Sequence, residues 1–155
     1  MVNWAESVGT PANPADLRPS TSIGVLVAVW TTVDESPAFA AVVRVVERVL
    51  GPEAAETYRG GPWGLSDAAA LAALAEAAGF SDVQVQRASL PVSFEGGPGQ
   101  IIGSLAVTAV ASRVAELDGA GRARLLAAAE EELGPLMVDG ELRSETVTNL
   151  LLATA

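Results

Sequence analysis

The apolar positions of the chain change their period along its length, and these changes divide it into elements. A nearly continuous apolar run from Ile23 to Trp30 follows a turn rich in Pro, Ser and Thr, and it predicts a buried strand. Period-two alternation over residues 83–94 and a β-branched, then apolar, stretch over 145–154 predict two more strands. Because Pro91 cannot donate to a strand ladder, we expect the strand 83–94 to lie at an edge or to carry a bulge.

Three- and four-residue spacing of the apolar positions between these strands predicts about five helices. They cover residues 37–50, 52–59, 67–78, 98–117 and 121–133. Ser36 and Ser66 are the expected N-caps, because a serine hydroxyl can accept from the free N–H groups of the first turn. Gly79 stands where a helix commonly ends in the left-handed conformation.

The fold class that follows is α/β: a small mixed three-stranded sheet with about five helices around it. The last strand is expected to lie antiparallel between the other two. A chain of 155 residues is long enough for one domain with a real core, which buries roughly 70% of the surface of the unfolded chain. We therefore expect residues 1–155 to form a single domain, with residues 1–20, which hold three prolines, as an irregular N-terminal arm.

Composition removes several classes of function. The chain has no Cys and no His, which excludes disulfides, Cys/His zinc sites and catalytic triads that use histidine. Nine arginines stand against nineteen acidic residues, and the net charge of −10 repels nucleic acid and anionic membrane surfaces. No cofactor and no metal are expected, and nucleic acid and membranes are not expected partners.

The ends and the apolar stretches indicate a cytoplasmic protein. The first seventeen residues lack a basic region followed by an apolar core, so no secretory signal is predicted. The longest apolar stretch, residues 101–112, is shorter than the ~20 residues that span a bilayer.

Three segments, in this order, resemble the C-terminal half of class I S-adenosylmethionine-dependent methyltransferases, particularly the small-molecule enzymes. They are "LRPSTSIGVLVAVW", similar to the turn and fifth strand; "LSDAAALAALAEAAGFSDVQV", similar to the helix, turn and sixth strand; and "TVTNLLLATA", similar to the antiparallel seventh strand. The match covers about residues 17–155. The resemblance implies a wall of the acceptor-substrate pocket, at the end of the first strand and in the helices after it.

The cofactor-binding half of that family has no counterpart in this sequence. The family binds its cofactor with a glycine-rich turn after the first strand and an acidic residue that ends the second. No strand is predicted before Ile23, and "GGPWG" and "GGPG" do not lie between a strand and a helix. We expect that a monomer does not bind the methyl donor, and that the chain is half a methyltransferase starting at its own Met1 or a deliberately shortened chain.

Candidate site residues are aromatic, amide and hydroxyl side chains near the expected acceptor pocket. The proposed catalytic residues, as hydrogen-bond donors to a substrate carbonyl, are Tyr58 and Gln100. The proposed substrate-binding residues are Trp30, Thr32, Phe39, Trp63 and Met137. Trp30 is equally compatible with ordinary core packing. For Met137 gap-filling core packing is the favoured alternative, and for Gln100 an exposed helix start is. Trp63 lies in a Pro/Gly loop, where pure core packing is unusual.

The preferred function is a cofactor-free cyclase that folds an apolar, polyketide-like polyene for intramolecular cycloaddition in antibiotic biosynthesis. Such a ring closure needs no nucleophile, metal or strong base, because holding the reactive conformation supplies much of the catalysis. One alternative is a non-catalytic subunit of a split methyltransferase, completing the sheet of a cofactor-binding chain. Another is a metabolite-binding pseudoenzyme, so whether the chain is catalytic at all is left open. A homodimer is expected, through an exposed edge or uncovered helices.

Overall fold

The computed structural model describes residues 24–155, and the predicted arm, residues 1–20, lies outside this range. The described chain contains six α-helices and four strands. They are β1 (Gly24–Trp30), α1 (Pro37–Leu50), α2 (Pro52–Arg59), α3 (Ala68–Ala77), β2 (Ser81–Phe94), α4 (Gly97–Gly103), α5 (Ala111–Ala115), α6 (Gly119–Leu133), β3 (Met137–Val138) and β4 (Glu141–Thr154).

The sheet has the order β1–β4–β2, with the short β3 paired to the start of β4. The prediction that the last strand lies antiparallel between the other two is confirmed. The prediction of a mixed three-stranded sheet is wrong. The strands β1 and β2 run parallel to each other but β4 separates them, so every ladder is antiparallel, and β3 adds a fourth strand. The missed strand forms a hairpin through Asp139 and Gly140, whose φ angles of 52° and 86° suit the two central positions of a tight turn.

The position of β1 differs from the expected buried strand. It pairs only with β4, so its other edge has no partner strand among residues 24–155. Leu26 is 64% exposed and Trp30 is 37% exposed. A continuous apolar run is typical of a strand covered on both faces, but here the covering elements reach only part of β1.

Each face of the sheet packs on different helices. On the α3 face, Leu71 of α3 lies against Leu151 and Ala153 of β4. On the opposite, α1 face, Leu142 belongs to a larger core that contains the buried valines of α1 and the apolar side of α6. Residues directly opposite one another in adjacent strands point to the same face, so Trp30, Thr148 and Ala88 share the α1 face.

Helix α1 begins and ends as the sequence predicts, but its cap is different. Pro37 occupies the first helical position, and Gly51 ends the helix with a φ of 94°. The Ser36 hydroxyl does not cap α1; it lies 3.1 Å from the hydroxyl of Thr146 on β4. This buried pair joins the start of α1 to the central strand.

Two other helical predictions need correction. The cap of α3 is Asp67, whose carboxylate accepts from Ala69 and Ala70, and not Ser66. The single helix predicted over 98–117 is broken into α4, a 3-10 turn and α5. The apolar spacing of that segment continues across the breaks, which is why the sequence pattern does not reveal them. The described chain therefore has six α-helices where about five were expected.

No helix formed by residues 24–155 has the length and apolar character needed to cross a membrane.

Candidate functional site

Four predicted site residues form one aromatic cluster on the α1 face. Trp30 at the end of β1 stacks on Trp63, with ring centroids 5.5 Å apart and planes 26° apart. Phe39 of α1 and Tyr58 of α2 contact the same indole, at centroid distances of 5.5 and 5.2 Å. Phe94 at the end of β2 extends the cluster by an edge-on contact with Phe39. One strand, β1, and two helices, α1 and α2, therefore supply the walls around a ring that comes from a loop.

The loop that carries Trp63 joins α2 to α3 and is built from glycine and proline. Gly64 fixes its shape, because a Cβ there would lie 3.0 Å from the carbonyl oxygen of Gly60. Trp63 is only 5% exposed although it belongs to no helix or strand. The tight turn is therefore what directs this indole into the protein.

Two buried polar atoms of this region have no hydrogen-bond partner within residues 24–155. They are the indole Nε1 of Trp63 and the hydroxyl of Thr148. Thr148 is the cross-strand neighbour of Trp30 in β4, so both groups belong to the same side of the sheet. An unpartnered buried donor costs about 1–3 kcal/mol, and native structures contain few of them.

The cluster is uncharged at neutral pH. Tyr58 is 3% exposed, and burial raises the pKa of its hydroxyl to about 12. A phenol in this state can donate a hydrogen bond but cannot act as a base near pH 7.

A separate polar cleft of about 280 Å³ opens on the α3 face, beyond the end of β1. Its lining is Thr31, Thr32, Glu35, Ser66, Ala68, Val85, Arg87 and Asn149. Thr32 is the one predicted substrate-binding residue that lies here. The cleft and the aromatic cluster are therefore two distinct features on opposite faces of the sheet.

An ion pair crosses the cleft between Glu35 and Arg87 of β2. The nearby Thr31 hydroxyl, and then the Arg87 guanidinium, lower the pKa of Glu35 below its usual value. The Thr31 hydroxyl donates to the Val147 carbonyl oxygen at 3.1 Å. Asn149, buried in β4, donates to the Ser66 carbonyl at 2.8 Å and ties the sheet to the start of α3.

Met137 and Gln100 lie in the region around α4. The Met137 side chain packs beside Gly97, where an added Cβ would lie 3.6 Å from its terminal methyl. The Gln100 side-chain oxygen accepts from the Gly96 N–H at 2.9 Å, at the beginning of α4. Gln100 is exposed, which agrees with the alternative of a polar side chain at a helix start.

The structure brings together the aromatic candidates and leaves the polar ones apart. Sequence reasoning missed Glu35 and Arg87, because charged residues 52 positions apart give no local pattern that links them. The sequence signal that could have marked the cleft is Asn149, a polar residue within an apolar stretch of β4. No group of three or more Asp, Glu, His or Cys side chains placed to hold a metal ion occurs among residues 24–155.

No protein-family model matches this chain, and no curated protein matches it significantly.

Proposed function

We propose that this chain is the acceptor-side half of an S-adenosylmethionine-dependent methyltransferase, completed at β1 by a cofactor-binding half. The observation that carries the proposal is the outer edge of β1, which is apolar and has no partner strand among residues 24–155. The strand order β1–β4–β2 supports it, because the resemblance implies an antiparallel last strand between the other two. That resemblance also implies that the missing half would continue the sheet beyond β1.

The hydrogen-bond register shows which backbone groups face outward. The Thr31 N–H donates to the Val147 carbonyl, so Thr31, Val29, Val27 and Val25 point their backbone groups towards β4. The alternate residues, Leu26, Ala28 and Trp30, direct their N–H and C=O groups to the open edge. A partner strand would find a regular ladder there.

The opposite edge of the sheet, formed by β2, is protected against such pairing. Pro91 has no N–H, and in this register its nitrogen faces away from β4. Asp82 and Arg87 place charges along the same strand, and the register shifts between Ser81 and Gln84. β1 has none of these devices, which is expected of an edge meant to be covered.

The partner would also cover part of the α1 face. Leu26 and Leu152 are directly opposite each other in the ladder, and they are 64% and 41% exposed. Together with Ala28 and Leu150 they form an apolar strip beside the open edge. A second element of the partner laid on this strip would remove apolar surface from water and add to the strand pairing.

The test uses the chain together with a separately produced cofactor-binding half of a class I methyltransferase. We expect no calorimetric signal when the chain alone is titrated with S-adenosylhomocysteine, and binding when the two halves are mixed. Ala28→Pro removes an outward N–H and should weaken assembly by at least about tenfold. Ser93→Pro, at an outward position of β2, is the matched control and should leave assembly unchanged.

Two results would overturn the proposal. One is micromolar binding of S-adenosylhomocysteine by the chain alone, which would place a cofactor site within this chain. The other is a stable dimer in light scattering that Ala28→Pro dissociates, which would assign the edge to a second copy.

A cofactor-free cyclase is the second candidate, favoured by the aromatic cluster. Trp30, Phe39 and Trp63 would hold an apolar polyene, and the neutral Tyr58 hydroxyl would polarise its carbonyl. The measurement is turnover of linear polyenes by the chain alone. Turnover that survives Trp63→Ala unchanged would count against this candidate, and binding without turnover would indicate a pseudoenzyme.

A further inference from the structure

We infer that Trp63 occupies a slot built for a planar, uncharged, fused-ring aromatic ligand, and that the loop over residues 60–64 moves out when the ligand enters. As an assignment of the methyl acceptor, this inference rests on the proposed function. The binding event itself is a property of this chain and can be tested without a partner.

The walls of the slot come from fixed elements. Trp30 belongs to β1, Phe39 to α1 and Tyr58 to α2, and all three contact the Trp63 ring within 5.5 Å between centroids. Only the ring in the middle comes from an irregular turn. Loops have lower local stability than the elements they connect, so Trp63 can leave while the walls stay in place.

Trp63 fits the slot by the shape of its ring but not by the hydrogen bonding of its polar group. Its Nε1 has no hydrogen-bond partner among residues 24–155, although the ring is nearly fully buried. A ligand ring without such an N–H would fill the same space without the free-energy cost of burying a donor that has no acceptor. The penalty for displacing Trp63 is therefore smaller than its burial alone suggests.

The lining determines the ligand class. No charged side chain of residues 24–155 belongs to the aromatic cluster, and burial keeps Tyr58 neutral. A charged ligand would therefore lose hydration without compensation. The slot now holds a two-ring system, which sets its size. Thr148, the neighbour of Trp30 in the ladder, has a hydroxyl on the same face without a hydrogen-bond partner in the described part of the chain. This hydroxyl would bond a ligand hydroxyl or carbonyl.

The ligand would enter at Trp30. Its ring stacks on Trp63 yet is 37% exposed, so one edge of the slot reaches solvent. Offset stacking on that ring would hold an incoming aromatic before the loop opens.

The experiment titrates the isolated chain with 2-naphthol by calorimetry, beside 2-methylnaphthalene and naphthalene-2-sulfonate. We expect saturable binding of 2-naphthol and none of the sulfonate. Trp63→Ala should tighten 2-naphthol binding by about tenfold or more, because the ligand no longer displaces an indole. If that variant does not fold, Trp63→Phe, whose smaller ring leaves part of the slot free, should show the same direction.

Thr148→Val tests the polar contact. It should weaken 2-naphthol by about fivefold to tenfold and leave 2-methylnaphthalene unchanged. Thr154→Val, at the far end of β4 opposite Gly24, is the control and should change neither. The inference is overturned if 2-naphthol does not bind up to the millimolar range, or if it binds wild type and Trp63 variants equally.

Failure here is distinguishable from failure of the proposed function. Loss of 2-naphthol binding with normal assembly at β1 would refute only the slot. Normal 2-naphthol binding with no assembly would refute only the methyltransferase half.

Discussion

The hydroxyls of Ser36 and Thr146 meet 3.1 Å apart in the protein interior, although 110 residues separate them in sequence. Ser36 precedes α1 and Thr146 lies in the central strand β4. The contact fixes where α1 sits on the sheet, and α1 in turn carries Phe39 into the aromatic cluster.

This pair is expected to be strongly coupled. Ser36→Ala and Thr146→Val should each lower the free energy of unfolding by about 1–3 kcal/mol, because each leaves a buried hydroxyl without its partner. The double variant should lose less than the sum of the two. A double-mutant cycle in urea measures the difference, and strict additivity would show that the two hydroxyls act independently.

The two stacked tryptophans should differ in their contribution to stability. Trp63→Ala should lower the free energy of unfolding by about 3–5 kcal/mol, since the ring is almost fully buried. Trp30→Ala should cost roughly half as much, because much of that ring is already in water. Urea unfolding checks the order, and an equal cost would contradict the observed burial.

Tyr58 allows a direct test of burial, because it is the only tyrosine in the chain. Its absorbance titration should give a pKa of about 12 in the folded protein and the ordinary value near 10 in urea. Since the folded pKa is the higher one, the folded state binds more protons between these values. The stabilisation by the neutral phenol is present below pH 10 and is lost as the pH rises to 12.

The control for this prediction is Tyr58→Phe. Its free energy of unfolding should fall less over the same pH interval than that of the wild type. A titration of the folded protein near 10 would mean that the hydroxyl reaches solvent.

Proline substitutions at adjacent positions of β1 should have unequal effects on the isolated chain. Val27→Pro removes an N–H directed at Leu151 of β4 and should cost at least about 1–3 kcal/mol. Ala28→Pro removes an N–H directed outward and should change the free energy of unfolding by less than about 1 kcal/mol. Denaturant unfolding of both variants checks the register. Similar losses of unfolding free energy would contradict the assignment of inward and outward N–H groups in β1.

Local patterns account for most elements and for few of the contacts that define the site. Pro37, Gly51 and Gly79 mark helix ends correctly because their backbone constraints act within a few residues. The edge position of β2 follows from Pro91 for the same reason. By contrast, the Glu35–Arg87 pair forms only after the sheet brings distant segments together, and no spacing rule encodes it.

The aromatic cluster could be predicted from the sequence only in part. An indole in a Gly/Pro turn is unusual enough to suggest a special role for Trp63, and the structure places that ring among Trp30, Phe39 and Tyr58. Its unpaired Nε1 could not be foreseen, because pairing depends on every neighbour at once. The exposure of Leu26 could not be predicted either, because an apolar run has the same sequence pattern whether or not helices cover the strand.

The seven residues of β1, "GVLVAVW", hold no charge and no proline. A segment of this kind can stack into cross-β fibrils when its ladder edge is free. Mutual repulsion from the net charge of −10 opposes such stacking at low ionic strength, and salt screens it within about 10 Å at 0.1 M. A preparation of this chain alone should therefore stay clear in dilute buffer and develop thioflavin-positive aggregates as salt is added.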